Sequence, residues 1–236
     1  MHMIDIHTHL LFDVDDGAEN LQESLDMLQD AKEQGVNAII LTPHYRRGMF
    51  PYQTDKIDAN FKVLKEKAAP FGVQLYLGTE MHVNSMVVEL LEKGRCHTLA
   101  DTNYVLAEYS YETEFKFLKA SVQDMIFHGY VPIVAHVERY KCLNDLKNIE
   151  LLREIGAMIQ VNADAVIGKN GLRAKSYTKK LLKYAYVDFV ASDCHGLEMR
   201  CSNMGKCSEY LYKKYDPRYV YNILLKNAEK ILEEIK

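Results

Sequence analysis

The ends of the apolar runs constrain this chain most. Six runs that read as β-strands each finish at, or just before, a side chain able to hold a cation. Met3-Ile4-Asp5-Ile6 leads into His7-Thr8-His9, and Ala38-Ile39-Ile40-Leu41 leads into Thr42-Pro43-His44. The run from Val73 to Gly78 precedes Glu80, that from Tyr104 to Ala107 precedes Glu108, and that from Val131 to Ala135 precedes His136. Phe189-Val190-Ala191-Ser192 leads into Asp193-Cys194-His195. A barrel of parallel strands gathers its strand C-termini at one face, and enzymes with that fold carry their chemistry there. Five histidines and three carboxylates, spread from residue 7 to residue 195, would then converge. Imidazole and carboxylate without thiolate suit several hydrolytic metal ions rather than one.

Between these runs lie segments of helical spacing. Leu21, Leu25, Leu28 and Ala31 are closed by Gly35, and Phe61, Leu64, Ala68 and Ala69 stop at Pro70. Further helices are expected over 115–128, 143–155, 172–184, 202–215 and 219–235. Seven strands, starting near residues 3, 37, 73, 104, 131, 158 and 187, alternate with them. That order implies parallel strands joined by right-handed crossovers. Seven units suit a slightly incomplete barrel, with an open doubly wound sheet as the alternative. A length of 236 residues is about right for one such barrel, and no Pro/Gly/Ser-rich linker divides it, so 1–236 reads as one domain. The net charge of −4 gives no general argument for nucleic acid or an anionic membrane. No apolar run approaches the roughly 20 residues of a membrane helix. Five cysteines without a Cys-x-x-Cys pair read as free thiols in a reducing cytoplasm.

Taken singly, each ligand candidate has a plainer reading. A lone histidine is more often a core residue bonded to backbone, and His-x-His alone is a weak signal. His7 and His9, however, share a strand face by period-2 geometry, and Asp193-x-His195 repeats the arrangement at the last strand. With His44, Glu80, Glu108 and His136 between them, packing becomes a poor explanation. In Phe12-Asp13-Val14-Asp15-Asp16-Gly17 a solvated turn is the simple account, and Asp13 fits it as well as any other.

Together these stretches resemble the PHP superfamily (polymerase and histidinol phosphatase). Within it they are most similar to the bacterial manganese-dependent protein-tyrosine phosphatases of capsule and exopolysaccharide operons. The matching segments are Ile4 to His9, Phe12 to Gly17, His44 to Phe50, Ala135-His136-Val137-Glu138-Arg139-Tyr140 and Ala191 to His195. The resemblance implies a distorted seven-stranded β/α barrel, TIM-barrel-like, the PHP fold. It implies three divalent ions, Mn²⁺ before Fe or Zn²⁺. The first would be held by His7, His9, Glu80 and Asp193. The second would be held by Glu80, Glu108 and His136, with Glu80 bridging, and the third by Asp16, His44 and His195. The carboxylates at positions 16 and 108 favour this branch, because many relatives outside it carry His there. The sequence departs from the branch at Tyr45, where Arg is frequent, and at Cys194, which stands between two ligands.

The implied reaction is hydrolysis of phosphotyrosine on a protein, the cognate bacterial tyrosine kinase that regulates polysaccharide export. Arg139 and Arg200 would clamp the phosphoryl group, since guanidinium matches its oxygens in pairs. Arg46 and Arg47 would join them in binding substrate, and His44 is a candidate proton donor. Each arginine alone could equally be a solvated surface residue. Tyr45, Phe50, Tyr109 and Tyr111 follow ligand-bearing strand ends and are placed to wall a slot for an aromatic ring. The rival functions are a small-molecule phosphatase, such as one for histidinol phosphate, and a non-catalytic metal-stabilised scaffold that binds the kinase. Cys194 to Arg200 satisfies Cys-x5-Arg, a pattern of cysteine-dependent phosphatases. The bulky Leu197, Glu198 and Met199 argue against a phosphate-cradling loop there.

Overall fold

The computed structural model describes residues 2–50 and 52–235. Met1 and Lys236, the limits expected for the domain, lie outside the described residues. Every strand pairing is parallel. The strands are β1 (Met3–Thr8), β2 (Val36–Leu41), β3 (His44–Tyr45), β4 (Gln74–Leu77), β5 (Glu80–His82), β6 (Tyr104–Glu108), β7 (Val131–Val134), β8 (Met158–Asn162) and β9 (Phe189–Ala191). They form a three-stranded sheet, β1-β2-β4, and a six-stranded sheet, β3-β5-β6-β7-β8-β9, that together curl into one wall. Its two ends meet. Thr8 bridges Cys194 in parallel, His9 N–H donates to the Cys194 carbonyl at 2.9 Å, and Asp193 N–H donates to the His7 carbonyl at 2.9 Å.

The described residues thus hold nine strand segments where seven were expected. The two additional segments, β3 and β5, lie just beyond the expected runs that end at Leu41 and Gly78. Thr42-Pro43 separates β2 from β3, and Pro43 has no N–H for the ladder. Gly78-Thr79 separates β4 from β5, and a Cβ on Gly78 would lie 2.7 Å from a Leu99 methyl. Leu99 packs where a side chain would otherwise stand.

The helices are α1 (Leu21–Glu33), α2 (Thr54–Ala68), α3 (Val87–Glu92), α4 (Phe115–Phe127), α5 (Leu146–Glu154), α6 (Ala163–Ile167), α7 (Leu172–Lys183), α8 (Met204–Lys214), α9 (Pro217–Tyr221) and α10 (Asn227–Glu233). None is long and apolar enough to cross a membrane. Asn20 caps α1 by accepting from Glu23 N–H at 3.1 Å, which fixes the start foreseen at Leu21. Helix α5 starts three residues later than expected, because the Asp145 carboxylate caps Lys147 N–H. The last helix is broken by a π-helical segment, Asn222–Lys226. Helices α3 and α6 are too short to show a period in the sequence.

Period 2 divides the strand side chains. Met3, Ile39, Leu41, Leu75, Val105, Ile159 and Val161 join the core cluster that includes Met27 and Leu28 of α1 and Leu118 of α4. Ile4, Ile6, Ala38, Ile40, Leu106, Ile133 and Phe189 form the other cluster, with Ala228 and Ile231 of α10 beneath them. Burial on both faces is what parallel sheets require. In β1 the count slips. Asp5 pairs with Ile39 and Thr8 with Leu41, so three steps oppose two and β1 carries an extra residue. Such a bulge re-aims side chains. Here it turns His7 to the face already taken by Ile6, where Gln160 also points.

Candidate metal centre

The strand C-termini bring all nine predicted ligands to one end of the sheet. One compact set is His7, His9, Glu80 and Asp193, all buried, with donor atoms within 4.8 Å of one another. His7 Nε2 and His9 Nε2 stand 3.2 and 3.1 Å from Glu80 Oε2, and both stand 3.5 Å from Asp193 Oδ1. A second set is Asp16, His44 and His195, joined by His9. The remaining set differs from the expected one. His44 gathers with Glu80 and Glu108, while His136 Nε2 lies 2.7 Å from Glu80 Oε1 but 4.0 Å from Glu108 Oε1. Glu80 belongs to two of the three compact sets, as a bridging ligand would.

The histidine tautomers follow from their partners. His7 Nδ1 faces Gln160 Oε1 at 3.3 Å, His9 Nδ1 faces Asp15 Oδ2 at 2.8 Å, and His195 Nδ1 faces the Asp193 carbonyl at 2.9 Å. All three partners are acceptors, so each Nδ1 carries the proton. In the neutral ring each Nε2 lone pair then faces the carboxylates, the orientation that hydrogen-bond partners of metal-binding histidines impose. His136 Nδ1 lies 3.1 Å from the Tyr140 hydroxyl, itself held by Tyr109 N–H.

The charges are crowded in a way a cation would relieve. His44 Nδ1, Glu80 Oε2, Glu108 Oε2 and His195 Nε2 are buried without a hydrogen-bond partner among the described residues. Burial and the adjoining Glu80 charge push the Glu108 carboxyl up to about 7. Burial would raise Glu80 too, but the charges of His7 and His44 hold it well below the usual range. Burial, then the His9 charge, lowers His195 to about 4, and burial, then the Arg139 charge, lowers His136 to about 4. Unpartnered donors, neutral imidazoles and packed carboxylates together fit divalent cations.

Two ligand candidates occupy left-handed backbone, His136 at φ 31° and Asp193 at φ 53°. Such strain costs about 1–3 kcal/mol per residue and persists where surroundings over-determine it. Asp193 is held from several sides. Arg139 Nη2 donates to its Oδ2 at 2.6 Å, Asn162 Nδ2 to the same oxygen at 2.8 Å, and Arg200 Nη2 to Oδ1 at 3.1 Å. Arg200 Nη1 also reaches Asp16 at 3.6 Å. Both predicted clamp arginines therefore border the centre and stay over a third exposed.

The other substrate-binding candidates part company. Arg46 is half-buried, and its charge acts on His82 and Glu108. Arg47 is exposed, its guanidinium 3.8 Å from Met86 Sδ. His44 has a carboxylate at each ring nitrogen, Glu80 at 3.0 Å and Asp16 at 3.4 Å, which is the setting of a ligand rather than a proton donor. Phe50 stacks on His44 at 5.2 Å, and Tyr111 is exposed beside Arg139. Tyr109 instead turns into the core and bonds Ser121, and Tyr45 packs edge-on against Tyr52. Cys194 is no nucleophile. Its thiol is buried, bonded to the Gly196 carbonyl, and pushed well up by desolvation.

Sequence reading passed over several residues that organise the site. Asp15 looks like its turn neighbours, yet its side chain is buried and also accepts from His44 N–H at 2.9 Å and Gly17 N–H at 2.9 Å. Asp13, by contrast, is exposed and pairs with Lys56. Gln160 accepts from His136 N–H at 2.8 Å and donates to Asn162 Oδ1 at 2.9 Å. A polar Gln-x-Asn at alternate positions of the apolar run 158–162 was the available signal.

Comparison with known proteins places the whole chain. The family described as "Capsular polysaccharide synthesis, CpsB/CapC" matches residues 3–233. Tyrosine-protein phosphatase CpsB of Streptococcus pneumoniae is 33% identical over 238 residues, covering 98% of each chain. Its namesake in Streptococcus agalactiae is 31% identical over 239 residues, again covering 98% of each. A chain from the crystal structures of Bacillus subtilis YwqE and S. pneumoniae CpsB, described as unique metal-dependent tyrosine phosphatases, superposes with a TM-score of 0.92. It is 28% identical, with 99% of this chain and 96% of that one covered. With the family matched over residues 3–233 and relatives similar along nearly the whole chain, this chain belongs to the CpsB/CapC family of capsular polysaccharide synthesis.

Proposed function

We propose that this protein is a metal-dependent protein-tyrosine phosphatase. Its substrate would be phosphotyrosine on a bacterial tyrosine kinase that governs capsular or exopolysaccharide synthesis, met in the cytoplasm. The chain would form one domain over 1–236, a distorted barrel of seven strand–helix units. It would hold three divalent ions, Mn²⁺ in the first place and otherwise Fe or Zn²⁺. The observation that carries the reading is Glu80 shared between cation-type clusters, with Arg139 and Arg200 both anchored on the adjoining Asp193. The relatives named as tyrosine phosphatases support the substrate class.

Phosphate monoesters hydrolyse very slowly in water, so the site must supply both a nucleophile and charge compensation. Divalent ions, when bound, lower the pKa of water and neutralise phosphoryl oxygens. The first set would be His7, His9, Glu80 and Asp193, the second Glu80, Glu108 and His136 with His44 alongside, and the third Asp16, His44 and His195. The protein's own part is orientation. Asp15 and Gln160 hold the imidazoles in one tautomer, and Asp193 holds two guanidinium groups at the rim. Those groups offer their remaining N–H donors to the transferring phosphoryl group. Phenol has a pKa near 10, so tyrosine leaves with little protonation and His44 is not needed as an acid.

The test compares kcat/KM for a phosphotyrosyl peptide and for histidinol phosphate, with and without added Mn²⁺. Metal-dependent turnover of the peptide in clear excess supports the proposal. Preference for histidinol phosphate would make it a small-molecule phosphatase, and metal binding without turnover would leave only a scaffold.

A further inference from the structure

Beside Arg139 lies a cavity of about 390 Å³, lined among others by Tyr111, Glu138, Lys141, Asn170 and Arg173. Arg139 belongs both to this cavity and to the ion pair with Asp193, so the cavity borders the metal centre. Most of its charges are already committed. Arg139 is bonded to Asp193, Lys141 Nζ lies 3.3 Å from Glu112, and Glu138 Oε1 accepts from Asn162 N–H at 3.1 Å, while Glu138 Oε2 is buried without a hydrogen-bond partner among the described residues. Arg173 has neither a hydrogen bond nor an ion pair among the described residues. It therefore presents an uncommitted guanidinium to the cavity. Arg173 and Ala174 stand in the first turn of α7, where no side chain caps the free N–H groups, and the helix end adds to the same sign. Tyr111, 51% exposed, lines the same cavity and offers an aromatic wall against which a peptide can lie.

One free guanidinium matches a single carboxylate in bidentate fashion. A phosphate dianion would call for a second free cation, and the cavity has none to spare. The anion must also arrive together with a phosphoryl group seated at Arg139. A peptide carrying an acidic residue near its phosphotyrosine meets both conditions. We propose that this cavity is a subsite for an Asp or Glu side chain flanking the phosphotyrosine, with Arg173 as its specificity-determining residue. The proposal rests on the phosphatase reading above.

The experiment uses a panel of phosphotyrosyl peptides with Glu or Gln at each flanking position in turn, and the Mn²⁺-loaded full chain. At one flanking position the Glu peptide should be favoured about fivefold in kcat/KM, the size of a good exposed ion pair. The gain should lie in KM and shrink as ionic strength rises. Arg173→Ala should bring the Glu/Gln ratio to about one, and Arg173→Glu should reverse it. Equal turnover of Glu and Gln peptides at every position would overturn the subsite alone, as would a ratio retained in Arg173→Ala. Failure to hydrolyse any phosphotyrosyl peptide would overturn the phosphatase reading, and the subsite with it.

Discussion

At the scale of single residues, the centre is a set of proton decisions. Burial alone would lower His9, yet the Asp15 carboxylate raises it well above its ordinary value, and Glu80 and Asp193 raise His7 against its own burial. Glu108 sits at about 7. Near pH 7 the metal-free protein therefore carries protons at positions where a cation must bind. Metal binding should release them, with fewer released as pH rises and these groups deprotonate unaided. Calorimetric titration of Mn²⁺ in buffers of different ionisation enthalpy measures the number directly, and a buffer-independent heat at pH 7 would contradict it. Cys194 makes the opposite point. Because its thiol is a buried hydrogen-bond donor to Gly196, Cys194→Ser should retain most kcat and all bound metal. In a cysteine-dependent phosphatase the same change removes the nucleophile and essentially all turnover.

At the scale of elements, two local devices turn strand ends into a site. The loop from Asp13 to Gly17 closes over His9, and Ala18 N–H donates to the His9 carbonyl at 3.1 Å. A Cβ on Gly17 would lie 1.9 Å from that carbonyl oxygen, a contact no rotamer can relieve. Gly17→Ala should displace the loop that delivers Asp15 and Asp16, lowering metal stoichiometry and activity together; unchanged metal content would show that the loop is not required. The second device is the hydrogen-bonded chain through β8. Gln160 links His7 of β1, His136 after β7 and, through Asn162, Asp193 after β9. Gln160→Leu removes the partner of His7 and of the His136 N–H, and losing hydrogen bonds that orient ligands should lower metal affinity about 10–100-fold. Competition with a fluorescent chelator would read that shift. Helix periods and caps such as Asn20 were legible in the sequence, because they depend on neighbours a few residues away. The bulge in β1 was not, since it exists only against the register of β2.

At the scale of the whole molecule, the centre ties the first strand to the last. Candidate ligands from β1, β3, β5 and β6 and from the stretches after β1, β7 and β9 meet at one end of the sheet, so cations there would act as cross-links of the native state alone. A ligand present at 100 times its Kd adds about 2.7 kcal/mol, which for a chain of this size is about 5–10 °C in Tm. Chelation should abolish phosphatase activity and lower Tm by that order, and Mn²⁺ should restore both. A Tm indifferent to chelator would detach the clusters from the stability of the fold. By itself the sequence pointed to the parallel strand–helix order, the single face on which the strand ends gather, and eight candidate ligands at those ends, with Asp16 added by the family resemblance. Apolar runs and the side chains that end them are properties of neighbouring residues, and parallel topology then leaves one place for them to converge. Only the tertiary structure decided that His44, rather than His136, sits compactly with Glu80 and Glu108. It alone set Asp15 apart from Asp13, and brought Gln160 and Arg173 to the centre and its rim. Those outcomes depend on strand register, backbone φ and distances between residues far apart in the chain, and no local pattern encodes them.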